Sequence, residues 1–216
     1  MRSRCLRVWV IVAAAWGLPG RGAAQQSRYD AELRRLAERG DVVQAFRIIE
    51  QLEPQSHTDL ITLTEIPAPP FKEERRAFAY ANMLRAAGAD SVWIDSEGNV
   101  LALRRGRAGR RKVALAGHLD TVFPEGTEVT VKARGDTLYA PGIGDDTRGL
   151  IVVLTVLRAL ERANVATEAD VLFVGTVGEE GLGDLRGVKY LFGERGPGID
   201  AFIAVDGGSP DRIVNQ

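Results

Sequence analysis

Apolar residues follow two different rhythms on either side of residue 88. Before it they recur every three or four positions, the spacing that lines one face of a helix. RYDAELRRLAERGDVVQAFRIIEQL (28–52) predicts helix, with Gly40-Asp41 as a stop and a new N-cap. SHTDLITLTEI (56–66) predicts a helix ending at the extended PAPPF (67–71), and KEERRAFAYANMLRAAG (72–88) predicts another, closed by Gly88. Beyond that point the period shortens. SVWID (91–95), VLALRR (100–105), KVALAG (112–117) and VTVKA (129–133) read as strands, with DSEGN (95–99) as a hairpin turn. LIVVLTVLRALERA (150–163) predicts a buried helix, ADVLFVGTV (169–177) a buried strand, LRGVKYLF (185–192) a helix and IDAFIAV (199–205) a final strand. Helices alternating with apolar strands predict an α/β domain: a largely parallel or mixed sheet with helices on both faces.

Charge and composition narrow the classes of function. Arg2, Arg4 and Arg7 precede the apolar VWVIVAAAW (8–16), and GAAQQ (22–26) offers small residues for cleavage after about Ala24. This is the layout of a secretory signal peptide over residues 1–24, too short and wrongly flanked for a spanning helix. The product is expected to be exported, periplasmic or secreted, without stable membrane association after cleavage. Cys5, the single cysteine, falls in that segment, and a cysteine-free mature chain suits an oxidising compartment. Cleavage removes four arginines (Arg2, Arg4, Arg7, Arg21) and no acid, taking the formal charge from −1 to −5. A mildly acidic product has no electrostatic footprint for nucleic acid. The basic run RRGRAGRRK (104–112) reads as a solvated turn between strands.

The candidate chemistry lies where strands end. KVALAG is followed by His118 and, two residues on, Asp120; VLFVGTVG by Glu179 and Glu180; AFIAV by Asp206. PGIGDDTRG (141–149) places Asp145 and Asp146 side by side before a helix, whose dipole favours one carboxylate but hardly needs two. In open α/β sheets ligands bind beyond the carboxyl ends of the strands. If the sheet is parallel these acids converge on one rim, where so many carboxylates call for a cation. One imidazole with several carboxylates suits zinc or a similar divalent ion, such as cobalt or manganese. Adjacent residues in an extended chain point opposite ways, so Glu179 and Glu180 divide the work, one binding metal and one addressing its water as general base. Asp120 is placed to orient the His118 ring. A nucleotide site is excluded, because PGIG lacks the GxGxxG spacing and no Lys-Ser/Thr follows.

These residues resemble the co-catalytic zinc metallopeptidases that include peptidase T, carboxypeptidase G and acetylornithine deacetylase. The resemblance rests on GHLDTV (117–122), PGIGDDTRG (141–149), GEEGLGDLRG (178–187) and AVDGG (204–208), supported upstream by TEIPAPPFKEERRA (64–77) and DSEGNV (95–100). It implies that His118 and Asp206 bind one zinc, that Asp145 bridges two metals and that Glu180 binds the second. It further implies Glu179 as general base, Asp120 as the support of His118 and a cis peptide between Asp145 and Asp146. The implied reaction is hydrolysis of a peptide or N-acyl amino acid by a metal-activated water. Aminopeptidase, carboxypeptidase and deacylase readings all remain.

The sequence departs from the family pattern in two respects. That pattern has a second histidine ligand far downstream, whereas this chain has two histidines, His118 and an upstream His57. It also has a lid domain after the AVDGG region, through which a homodimer can form, whereas this sequence stops at DRIVNQ (211–216). Residues 25–216 are therefore expected to be the N-terminal part of a catalytic domain, without the lid or the C-terminal part. The competing expectation is a non-catalytic fragment or pseudoenzyme that binds metal or peptide without turnover.

Overall fold

The structure is a computed structural model and describes residues 21–207. The expected signal peptide lies outside the described residues up to residue 20, as do Gly208 of AVDGG and the C-terminal DRIVNQ. The chain forms two compact units, one up to Arg39 with helix α1 (Arg21–Ala37), the other from Gly40 onward. Among the described residues no helix is long and apolar enough to cross a membrane.

The second unit begins with three helices, α2 (Gly40–Gln51), α3 (Glu53–Thr64) and α4 (Glu74–Ala86). Pro54 in the first turn of α3 costs nothing there, because its missing N–H would have no helical partner. Gly88 ends α4's last turn at φ +102°, a backbone region that other residues avoid. Strands β1 (Ser91–Ile94) and β2 (Val100–Arg104) form a hairpin, and Asp95 closes its turn by accepting from the N–H groups of Glu97, Gly98 and Asn99. Then follow β3 (Lys112–His118), β4 (Lys132–Arg134), β5 (Thr137–Tyr139), α5 (Arg148–Arg162), β6 (Asp170–Thr176), α6 (Arg186–Leu191) and β7 (Ala201–Ala204).

The main sheet has the order β1-β2-β6-β3-β7. It is mixed: β3 pairs parallel with β6 and β7, while β2 is antiparallel to both β1 and β6. The parallel part is therefore the half that carries His118. The antiparallel pairing of β1 with β2 follows from the tight turn at 95–99, which reverses the chain into a hairpin instead of carrying it through a crossover helix. The strand expected over 129–133 is displaced: Lys132–Arg134 pairs with Thr137–Tyr139 in a separate two-stranded ribbon. Its residues are mostly exposed, so alternation there did not report a buried face.

Both faces of the sheet are covered. On one, Val100, Ala102 and Phe173 meet Tyr80 and Leu84 of α4 and Leu150, Leu154 and Leu157 of α5. On the other, Leu101, Ala114, Ala116, Leu172 and Val174 meet Leu191 of α6. Successive strand residues thus alternate between two cores, which is why these strands read as unbroken apolar runs. Each leucine that α5 buries fully contributes about 1.5–3 kcal/mol. Helix α2 forms an outer layer, with Ala45, Ile48 and Leu52 packed on Ala159 and Val165.

Candidate metal centre

Register brings the candidate residues together. His118 is level with Thr176 across β3 and β6, and Ala116 with Ala204 across β3 and β7. The bonds from Leu119 N to Thr176 O (2.7 Å) and from Val205 N to Ala116 O (2.7 Å) carry the pairing one step further. Glu179-Glu180 and Asp206 therefore leave their strands at the same rim as His118. Asp145 and Asp146 reach that rim from the kinked segment Ile143–Thr147, which leads into α5.

The two adjacent aspartates have different surroundings. Asp146 is fully buried, and its carboxylate accepts from His118 N (2.8 Å) and Gly149 N (3.1 Å). A Cβ at Gly149 would lie 2.1 Å from Asp146 Oδ1, so the bare backbone there makes room for the carboxylate. The peptide bond between the aspartates is cis. Asp145 instead points outward, with its side chain 60% exposed and Oδ1 2.8 Å from His118 Nε2. Asp146 locks the end of β3 to the start of α5, and Asp145 offers its oxygens to the rim.

His118 Nδ1 hydrogen-bonds the main-chain oxygen of Asp120 at 3.0 Å, while the Asp120 carboxylate stands 3.6 Å away. That carboxylate instead accepts from Glu179 N (3.1 Å) and Glu180 N (2.9 Å). Asp120 thus orients the imidazole through its backbone and holds the two-glutamate loop through its side chain. Asp206 Oδ1 lies 3.8 Å from His118 Nε2. Potential ligand atoms of His118, Asp145 and Glu180 lie within 4.8 Å of one another, and so do those of His118, Asp146 and Asp206. Both Asp146 oxygens already hold N–H groups and are buried, so the exposed Asp145 is the member of the pair with more free capacity for an ion. His57 is exposed on α3 and takes part in neither cluster.

The electrostatics are those of an acidic cluster gathered on one imidazole. Burial acts to lower the His118 pKa, but the neighbouring Asp120, Asp146 and Asp145 carboxylates push it up to about 10. Burial raises Asp146 to about 7, with Asp206 and Asp145 adding repulsion. Burial and the surrounding acids also raise Glu179 and Glu180. A divalent cation would relieve that repulsion. The rim opens into a cavity of about 850 Å³ lined by Asp145, Glu180 and Asp206 together with Val122, Phe123, Arg148 and Val152.

Sequence reasoning missed what stands behind the two-glutamate loop. Arg186 grips Glu73 through two bonds (2.8 and 2.9 Å) and Glu97 O (3.0 Å), and its stem lies against Gly178. Buried Asn99 accepts from Val177 N (3.1 Å) and donates to Gly187 O (3.1 Å). Glu73 and Asn99 lie within the upstream stretches that carry the resemblance, the only sequence signal for them.

The chain is similar to known hydrolases and peptidases. Residues 114–215 match the profile of Peptidase family M20/M25/M40. The chain is 35% identical over 129 residues to a LysW-lysine/LysW-ornithine hydrolase of Pyrococcus abyssi, covering 60% of this chain and 34% of that protein. It is 31% identical over 84 residues to carboxypeptidase G2 of Pseudomonas, covering 38% of this chain and 20% of that protein. Among solved structures, aminopeptidase PepT from Bacillus cereus superposes with a TM-score of 0.61 at 22% identity, over 71% of this chain and 43% of that one. A tripeptidase from Staphylococcus aureus gives 0.58 at 23% identity, over 73% and 44%. The chain thus spans about a third of the length of the first relative and a fifth of the second. Over residues 114–215 it is similar to the peptidase M20 family, and over most of the chain it shares the fold of the solved peptidases.

Proposed function

We propose that this chain belongs to the peptidase M20 family and serves metal-dependent hydrolysis of an amide bond, in a peptide or an N-acyl amino acid. The observation that carries the reading is the meeting of His118, Asp145 and Glu180 within 4.8 Å, beyond the ends of parallel strands and open to a cavity. The donor set fits the ion: an imidazole held at Nδ1 with Nε2 facing carboxylates, and half-exposed Asp145 and Asp206 with lone pairs free. His118, Asp145, Glu180 and Asp206 would hold it, with Asp145 central. Zinc suits these donors, and cobalt or manganese can use the same set.

A bound divalent ion supplies an acidified water and a polarised carbonyl. The chain's own groups do the rest. Glu179, its pKa raised by burial and by neighbouring acids, accepts the proton of the attacking water and returns it to the leaving amine. Asp120 fixes the orientation of Glu179 and Glu180 through their N–H groups. Asp146 anchors the turn that aims Asp145. The basic and then apolar N-terminus supports export, which N-terminal sequencing of the product from its native host tests through cleavage near Ala24.

A second reading, a metal- or peptide-binding module without turnover, draws on the single imidazole at the rim. One experiment separates the two. Zinc titration of the purified chain is paired with assays on a panel of dipeptides and N-acyl amino acids. Asp145→Ala is expected to weaken zinc binding at least a hundredfold without loss of fold. Glu179→Gln is expected to retain zinc and to lower turnover by about 10²–10⁴-fold, the usual contribution of a general base. Undiminished zinc in the first variant or undiminished turnover in the second sinks the assignment, and zinc binding without turnover in the wild type favours the module.

A further inference from the structure

Hydrolysis leaves one feature of the rim cavity unused. Arg148, the first residue of α5, lines the cavity beside Asp145, Glu180 and Asp206, and it is the only basic residue among the lining residues. Its main-chain N–H donates to Ile143 O, but its guanidinium makes no hydrogen bond or ion pair with any described residue. A guanidinium sharing a wall with three carboxylates commonly pairs with one of them. Here Asp145 is turned to His118 instead, 2.8 Å from Nε2. One helical turn on, Val152 lines the same cavity and is exposed, and exposed Val122 with Phe123 adds further apolar surface.

We infer that Arg148 is a specificity-determining residue that receives a substrate carboxylate. The substrate is then an amide whose amine half is an amino acid with a free carboxylate and an apolar side chain, either the C-terminal residue of a peptide or an N-acyl amino acid. This rests on the hydrolytic reading of the same cavity. The planar fork of arginine matches a carboxylate at two points, and it stays charged at any working pH. A substrate presenting an N-terminal ammonium would meet like charge at Arg148. The carboxylates able to receive such an ammonium are those assigned to the ion. Val122, Phe123 and Val152 offer the surface on which an apolar side chain can be buried. Of the three readings left by the sequence, the cavity therefore favours carboxypeptidase and deacylase over aminopeptidase.

The test compares N-acetyl-L-leucine with N-acetyl-L-leucinamide, two probes that differ only in the carboxylate. Binding of each to the full chain is measured by NMR titration, in zinc-loaded and metal-free protein, for wild type, Arg148→Lys and Arg148→Gln. The wild type is expected to prefer the acid by tenfold or more when zinc-loaded, as for one charge-assisted contact. Arg148→Gln is expected to reduce the acid-to-amide ratio about tenfold in both forms, and Arg148→Lys to restore part of it. Zinc affinity, titrated separately, should not fall in either variant. An acid-to-amide ratio unchanged by Arg148→Gln overturns the inference, since the carboxylate then sits on the ion or elsewhere. Failure of the wild type to bind zinc overturns the hydrolytic reading instead, while the metal-free comparison still decides the role of Arg148.

Discussion

Two polar clusters flank the loop after β3, and they are built on opposite plans. Around Arg76, which is fully buried, the guanidinium donates to Ile66 O (2.9 and 2.7 Å), Thr64 O (3.3 Å) and Leu119 O (3.0 Å). That cluster is closed, with the charge enclosed by carbonyls that would otherwise lack partners. At the rim, Asp145 and Asp206 are 60% and 49% exposed and contact His118 from one side only. Polar groups that hold the chain together use up their bonding capacity on each other. Groups meant for a ligand are held in place from behind and left open in front.

The sharpest way to break this comparison is to open the closed cluster. Arg76 ties the end of α3 to Leu119, next to His118, and Thr121 N adds a bond to Ala68 O (3.0 Å) alongside it. Arg76→Met keeps much of the stem but leaves the buried carbonyls of Thr64 and Leu119 and the part-buried carbonyl of Ile66 without their donor. At roughly 1–3 kcal/mol for each unsatisfied group, partly offset by relaxation, the loss should be about 4 kcal/mol. Urea unfolding measures it. If Arg76→Met proves as stable as wild type, the enclosed charge is not structural and the contrast with the rim collapses. Asp145→Ala should give the reverse pattern, with zinc lost and stability kept.

Gly149→Ala probes the seam between the two plans, since Asp146 belongs to the rim by position and to the closed type by bonding. The added methyl displaces the Asp146 carboxylate from Gly149 N and His118 N. A destabilisation of about 2 kcal/mol is expected, in the range of overpacked sites. Zinc affinity should fall with it, because the turn that aims Asp145 is held by the same carboxylate. Loss of stability with unchanged zinc binding would separate Asp146 from the rim.

The same contrast explains what the sequence disclosed. Apolar runs mark the strands, and the acids that follow them mark the rim, so His118, Glu179, Glu180 and Asp206 could be placed before any coordinates. Strand order was not legible: β6 inserts between β2 and β3 because its two apolar faces match two separate cores, a choice made by non-local packing. Arg76 was hidden in the charged run KEERRA, which reads as a solvated helix face. Its burial depends on carbonyls left over at the end of α3, and nothing in the spacing reports them. Arg186 and Glu73, 113 positions apart, were hidden in the same way.

Tyr80→Phe makes the smallest and most selective change. The Tyr80 hydroxyl is buried and donates to Leu150 O (3.0 Å) in the first turn of α5, the helix that Asp146 anchors. Burial holds the phenol's pKa well above its usual value, so it is a neutral donor. The ring itself fills the space over Gly175, where an added Cβ would meet it at 3.0 Å. Phenylalanine keeps that packing and removes one hydrogen bond, so the cost should be about 1 kcal/mol. That corresponds to a fall of roughly 2–4 °C in Tm for a chain of this size. Zinc affinity should stay within about twofold of wild type, one neutral bond in the core being too little to move the rim. A larger drop in zinc affinity would mean that the start of α5 shifts as one piece with the site. The closed core and the open rim would then be a single cooperative structure instead of two independent plans.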